Sequence, residues 1–373
     1  MAKLFFANTR NTDMRYLVSA EIPDNFFLIE KEGKKYIYLD QREIGAFLEH
    51  NKDDSIECFT LESVLNEVAV DADDATTMQK VGFEIIKRHD LLNESIEVPG
   101  VFPLSMADYL RKKGVLLNPM SLLLPERLKK NPHEVEIIQN AISGTKLAFE
   151  YIEKILREGV IRNEEIIYQE RALTSEFLKK ECEKIFLEQG LLDIEGMIIS
   201  CGPQSAMPHH RGHGLIRPNQ AIICDLFPWH RESGYFADMT RTYVKGVPSK
   251  KIAKMYMSVK KAQEMAIDSI KPGVKIADVH AKVQQIFLSD GFDVGEKGFT
   301  HGTGHGLGLD LHEEPYINKS GGEKVFEIGN VVTVEPGLYY SEFGGVRIED
   351  VVCVIKNGCK NLTNYPKELI IVD

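Results

Sequence analysis

The sequence predicts two domains: a small α/β domain over residues 1–125, and a larger α+β domain over residues 126–373 in which a helix-helix-strands succession is duplicated. Three observations carry this reading. The 373 residues exceed one typical domain and fall short of three. A basic stretch with three prolines, Asn118 to Pro132, separates regions of different pattern and reads as a linker. Beyond it, two helical segments followed by strand-like runs occur twice, although no residue-level repeat is evident.

In the first region, NFFLIEKEGKKYIYLD (Asn25 to Asp40) reads as two strands joined by a turn at Glu32 to Lys34. Amphipathic stretches near Arg42 to Asn51, Thr77 to Asp90 and Ser105 to Gly114 alternate with short apolar runs, the pattern of a small α/β domain. In the second region, Asn131 and Pro132 form a helix start, with Glu134 and Glu136 in the first turn. Val135, Ile138, Ile142, Phe149 and Ile152 then share one face. A second helix is expected over about Asn163 to Gly190. Strands are expected over Gly196 to Cys201, Gln220 to Phe227 and Tyr235 to Val244. Ser249 opens another helix bearing Ile252, Tyr256, Val259, Ala262 and Ala266, which Pro272-Gly273 ends. A further helix, Lys275 to Gly291, leads to strands running up to Asp373.

Bulk properties narrow the function classes. A net charge of −11 and a pI near 5.6 argue against a phosphate-binding surface, so nucleic acid is set aside as a partner. The N-terminus lacks a signal-peptide core, and no apolar run is long enough to cross a bilayer. Cys58, Cys182, Cys201, Cys224, Cys353 and Cys359 form no C-x-x-C pair, so reduced thiols in a cytoplasmic protein are expected.

Four segments concentrate the chemistry. In AIICDLFPWHRESGYFADMTRTYVKG, Asp225 ends a buried strand, and alternation places Asp238, Thr240 and Thr242 on one face of the next. Cys224 alternates to the opposite face from Asp225, into the core. HGTGHGLGLDLHEEP interleaves His301, His305 and His312 with glycines whose backbone freedom lets the imidazoles converge. NVVTVEPGLYY ends an apolar strand on Glu335. In GGVRIEDVVCVI, Arg347 and Glu349 share a face opposite Val346 and Ile348. Taken singly, each acid fits a turn cap or an arginine pair. Together, four carboxylates and an imidazole in one interior would repel unless divalent cations neutralised them, and such oxygen-rich ligands suit Mn, Co, Fe or Zn. The residue types therefore imply a two-metal hydrolytic centre.

The order Asp, Asp, His, Glu, Glu within these motifs, over about residues 196 to 355, resembles the pita-bread metallopeptidases: methionine aminopeptidase, Xaa-Pro aminopeptidase and prolidase. The resemblance implies a creatinase-like N-terminal α/β domain followed by a pita-bread catalytic domain, as in the proline-specific branch. It implies that Asp225 chelates one metal, that Asp238 and Glu349 bridge both, and that His305 and Glu335 complete the second, with manganese first among the candidate ions. It also implies catalytic roles for His209, His312 and Glu335, the last as acceptor of the attacking water's proton, and for the pair His301 and Arg347. The expected activity is hydrolysis of the Xaa-Pro bond at the N-terminus of short peptides by a hydroxide shared between two metals. Relatives with this N-terminal domain are often homodimers.

One departure stands out. Asp238 follows Asp225 by 13 positions where that family usually has eleven, and Leu226 stands where a glycine is usual nearby. The longer hairpin, with Pro228, Trp229 and His230, is expected beside the site. His210 and His213 read as rim residues. Two alternatives stay open: a strict Xaa-Pro dipeptidase, in which Arg347 or Arg211 fixes the product carboxylate, and a metal-free binding or creatinase-like relative. No H-E-x-x-H helix, G-x-S-x-G elbow or phosphate-binding P-loop occurs.

Overall fold

The computed structural model of the protein describes residues 1–68, 74–122 and 124–371. Leu123, within the expected linker, and Val372 and Asp373, at the end of the expected strand run, lie outside them. The chain divides into two compact units, Met1–Pro125 and Glu126–Asp373.

The first unit contains β1 (Ala2–Ala7), α1 (Thr12–Val18), β2 (Phe26–Lys31), β3 (Lys34–Leu39), α2 (Gln41–His50), β4 (Ile56–Thr60), α3 (Glu62–Leu65), α4 (Thr77–Arg88), β5 (Ser95–Pro99), α5 (Leu104–Lys112) and β6 (Leu116–Met120). Its strands form one mixed sheet in the order β4-β3-β2-β1-β5-β6. The run Phe26-Phe27-Leu28-Ile29 is apolar throughout because helices cover both faces. Phe27 and Ile29 pack with Val81, Ile85 and Leu110, whereas Phe26 and Leu28 pack with Met14, Leu17 and Phe47. At the β2–β3 turn, Glu32 and Gly33 both have positive φ (53° and 78°), the twist that joins two strands tightly. The linker begins later than its prolines suggest: residues 116–120 pair with β5 in parallel, and β6 tolerates Pro119 because it is the sheet's edge.

The second unit opens on α6 (Pro132–Glu158). Asn131 caps it, accepting from the backbone of His133 and Glu134, while the Glu134 carboxylate accepts from Asn131 N at 2.7 Å. The expected helix over 163–190 is corrected. Residues 160–172 form a small antiparallel sheet, β7 (Val160–Arg162), β8 (Glu165–Tyr168) and β9 (Arg171–Ala172), and α7 (Ser175–Glu188) starts only after Thr174 caps it. Two turns with paired positive φ, Asn163-Glu164 (49° and 62°) and Gln169-Glu170 (47° and 60°), close these hairpins, and Ile166 and Tyr168 alternate inward.

A short β10 (Leu191–Leu192) leads to β11 (Ile198–Cys201), β12 (Ile222–Leu226), β13 (Trp229–His230) and β14 (Met239–Lys245). β11, β12 and β14 form an antiparallel meander. The second half has α8 (Lys250–Ser269), capped by Ser249, and α9 (Ile276–Ser289), followed by β15 (Gly304–Gly306), β16 (Glu313–Ile317), β17 (Val331–Val334), β18 (Gly337–Tyr340), β19 (Gly344–Arg347), β20 (Asp350–Ile355), β21 (Gly358–Asn361) and β22 (Ile370–Ile371). The face Ile252, Tyr256, Val259, Ala262 and Ala266 packs against Val332, Val334, Val346 and Ile348. A backbone bridge between Thr240 and Glu349 ties the first half's sheet to the second's.

Candidate metal centre

Asp225 lies one residue before the end of β12, opposite Thr240. Asp238 precedes β14, and Glu349 sits between β19 and β20, where its backbone N donates to Thr240 O at 3.0 Å and its Oε2 accepts from Thr240 Oγ1 at 2.7 Å. Each acid thus stands where a buried strand ends, and the backbone pairing of the two half-sheets brings them together. Glu335 follows β17, with its backbone N bonded to Thr303 O at 2.8 Å.

His305 is the middle residue of β15, and the glycines beside it are required by contact. A Cβ on Gly304 would lie 1.9 Å from Thr333 O, and one on Gly306 would lie 2.3 Å from Glu314 O. The His305 backbone donates to Thr333 Oγ1 at 3.0 Å, and its Nδ1 bonds to Gly306 O at 3.1 Å. A proton on Nδ1 leaves the Nε2 lone pair facing the cleft, 3.3 Å from Glu335 and 3.7 Å from Asp238. Burial, with His312 adjoining, pushes His305 down to about 3, so the imidazole is neutral as a ligand must be. The two rings lie 4.3 Å apart between centroids.

These residues line one cleft of about 560 Å³, together with His209, His301, His312 and Arg347. Ligand atoms of Asp238, His305 and Glu349 all lie within 4.8 Å of one another. Asp225, Asp238, Glu349 and His305 are buried, and Glu335 is partly so. Burial, then the neighbouring carboxylates, holds Asp238 and Glu349 well above the ordinary carboxylate range; burial pushes Glu335 up to about 7. Asp225 Oδ2 takes Arg347 Nη2 at 2.6 Å, but its Oδ1 is buried without a hydrogen-bond partner. An orphaned carboxylate oxygen beside acids that repel one another is the electrostatic signature of a cation site, and the oxygen-rich donor set with one imidazole fits hard or borderline divalent ions.

His301 and Arg347 are joined through Tyr339, a residue the sequence reading passed over. His301 Nδ1 bonds to Gly302 O at 2.8 Å, so the Tyr339 hydroxyl donates to Nε2 at 2.9 Å and accepts from Arg347 Nη1 at 2.8 Å. Burial pushes His301 down to about 3, consistent with that neutral tautomer. The available signal was alternation, since Tyr339 lies two residues after Gly337 in the strand paired with β19.

Of the longer hairpin, Phe227 reaches the cleft lining, but the tip turns aside. Trp229 and His230 pair with Leu192 and Leu191, so the expectation of Trp229 and His230 beside the site is corrected. A two-residue ribbon absorbs the extra length. The His210 and His213 rings lie 5.5 Å apart between centroids, tilted by 42°, and neither lines the cleft, whereas the exposed His209 does.

A family model described as metallopeptidase family M24 matches residues 136–356. The chain is 34% identical over 248 residues to an uncharacterized peptidase, YqhT, of Bacillus subtilis; the match covers 66% of this chain and 65% of that relative, just under two thirds of its length. It is 33% identical over 289 residues to an Xaa-Pro dipeptidase of Pyrococcus horikoshii, covering 74% and 75% of the two chains. Among solved structures, an Xaa-Pro dipeptidase from Bacillus anthracis superposes with a TM-score of 0.81 at 25% identity, covering 100% of this chain and 94% of that one. With the matched residues spanning every motif of the cleft from His209 to Glu349, the chain belongs to metallopeptidase family M24.

Proposed function

We propose that this protein is a metal-dependent exopeptidase that hydrolyses the Xaa-Pro bond at the N-terminus of short peptides. One observation carries the reading: five ligand-type side chains converge on one cleft, with a buried Asp225 oxygen unpartnered. Two divalent ions per chain, manganese first, with Co, Zn or Fe as alternatives, would be held by Asp225, Asp238, His305, Glu335 and Glu349. Such ions supply Lewis-acid polarisation of the scissile carbonyl and lower the pKa of water.

The chain's own residues do the rest. Glu335 accepts the proton of the attacking water. His312 and His209, on the cleft wall, donate to the carbonyl oxygen and to the peptide as charge develops. Arg347 and Tyr339 hold Asp225 and His301 in fixed orientations, so that neither must reorganise during the reaction. The unit of residues 1–125 is read as a creatinase-like domain, and the protein as a cytoplasmic homodimer. Among the described residues, no helix is long and apolar enough to cross a membrane. A narrower reading, dipeptides alone, is favoured by Arg211 on the cleft wall.

The test is a panel of peptides varying in length and second residue, assayed with Mn, Co and Zn in turn. Metal content by mass spectrometry and mass by light scattering accompany it. Cleavage confined to Xaa-Pro and lost on chelation is the expected outcome. Activity that survives both exhaustive chelation and Glu335→Gln would falsify the metallopeptidase reading.

A further inference from the structure

The loop that carries His312 joins β15 to β16 and forms part of the cleft wall through Asp310, Leu311 and His312. Its ends are fixed by strand pairing, with Gly306 opposite Glu313. Pairing at the ends leaves the residues between them a conformational freedom whose loss other contacts must offset. In the folded chain the His312 ring is held 4.3 Å from the ring of His305.

Those contacts come from one stretch of chain, residues 127–134, near the start of the second unit. Arg127 Nη2 donates to Asp310 Oδ2 at 2.7 Å and to Glu313 Oε2 at 3.0 Å, and Lys130 Nζ pairs with Glu313 Oε1. The Glu313 side chain is 9% exposed and that of Lys130 2%, so this pair is screened little by water. A Cβ on Gly308 would lie 2.6 Å from Glu313 Oε1, so the loop folds back against the acid that ends it. At the loop's other end, Glu134 Oε1 accepts from the Tyr235 hydroxyl at 2.5 Å, and the next residue, Phe236, donates its backbone N–H to Gly308 O at 2.9 Å. His312 thus lies between two anchored acids, Asp310 and Glu313.

The anchoring stretch is itself fixed to the frame of the cleft. Lys130 N donates to Gly329 O at 2.8 Å, and Asn330 Nδ2 donates to Leu128 O at 2.8 Å. Asn330 leads directly into β17, the strand that Glu335 follows. Buried ion pairs add little net stability relative to apolar packing, so the position they impose is the feature to be explained. Among the described residues, Asp310 and His312 line the cleft and Arg127 does not.

We infer that Arg127 is a positioning residue for the reaction: with Lys130 it locks Asp310 and Glu313, and through them the loop, so that His312 faces the scissile carbonyl. The inference rests on the exopeptidase reading of this cleft, in which His312 donates to the developing oxyanion. Arg127 then acts on the reaction only through His312.

The test is a double-variant cycle on the manganese-loaded protein: wild type, Arg127→Met, His312→Ala and the two combined, assayed on Ala-Pro. In Arg127→Met, kcat should fall roughly 10- to 100-fold, the range of a misplaced catalytic group, with KM within about threefold. In the His312→Ala background the same change should cost less than about threefold, because the group it positions is gone. Arg127→Lys should recover part of kcat. Asp310→Asn, which alters a partly exposed partner of the pair, should lower kcat in the same direction and be equally silent without His312; where Arg127→Met does not fold, it carries the test. A second readout needs no turnover. On metal-free protein, the rate at which diethyl pyrocarbonate acylates His312, followed by peptide mass spectrometry, should change severalfold in the variant while the rates at His210 and His213 do not. Losses that multiply in the combined variant, labelling that changes equally at all three histidines or at none, or wild-type kcat in both Arg127→Met and Asp310→Asn would overturn the inference. Wild type that cleaves no Xaa-Pro bond while Arg127 still governs labelling at His312 would sink the peptidase reading and leave the positioning of the loop standing.

Discussion

The hydroxyl of Tyr339 donates to His301 and accepts from Arg347, so removing it leaves a buried ring nitrogen and a guanidinium N–H without partners. Tyr339→Phe should therefore cost about 1–3 kcal/mol of stability and lower kcat, read by thermal unfolding and by hydrolysis of Ala-Pro. Under the proposed mechanism, Glu335→Gln keeps the shape but removes the proton acceptor, and kcat should fall at least ~100-fold at unchanged fold. The acids of the cleft also set a pH dependence for the protein stripped of metal. Glu335 has its folded pKa raised from the ordinary 4.5 to about 7 by burial, so the stability it contributes is fully present below pH 4.5 and is lost as pH rises through 7. Asp238 and Glu349, also raised, act in the same direction. Melting temperature in chelator should thus fall between about pH 5 and 8, and manganese should abolish that fall; a flat profile in chelator would contradict the account. At this scale the ligand types were legible in sequence because an acid ending an apolar strand is costly. Tyr339 was not, because a tyrosine in a strand has many uses and only its partners across the cleft reveal this one.

At the scale of elements, helix starts were legible where a cap and a face coincide, as at Asn131 and Ser249. The stretch 163–172 was misread because Glu164, Glu165, Glu170 and Arg171 are good helix formers and no glycine marks its turns. The folded chain holds Glu164 at φ 62°, a conformation that a residue with a Cβ adopts at a cost. Glu164→Gly should stabilise by roughly 0.5–1 kcal/mol, seen as a higher midpoint in urea; destabilisation would mean that its side chain matters more than its backbone. The opposite sign holds at β15. Gly304→Ala would drive a methyl into Thr333 O, moving His305 away from Glu335, so metal content and activity should both collapse. The glycines of HGTGHG predicted close approach, but what approaches is backbone of β17 and β16, which only the sheet order shows.

At the scale of the whole molecule, the cleft exists because two halves of the second unit meet. Arg241 and Asp350, both fully buried, pair at 2.8 Å behind the site, and Arg241 also donates to Thr240 O at 2.8 Å and Glu349 O at 2.7 Å. Lys367 adds a second cation to Asp350 at 2.7 Å. Although burial opposes its charge, Arg241 and Lys367 hold Asp350 down at about 2. Arg241→Met would leave Asp350 short of its main partner inside the protein and should cost about 3–5 kcal/mol, with lost metal uptake as a second readout. A melting temperature within a degree or two of wild type would refute this. The sequence by itself determined the residue types of the centre, their order, and the strand ends that carry them, because local periodicity and the cost of burying charge act within a few residues of chain. Which acids share a cleft and what turns the long hairpin aside were decided by tertiary structure alone, since those answers depend on contacts between separate stretches of chain: Asp238 and His305 meet Glu349, and Trp229 and His230 pair with Leu192 and Leu191.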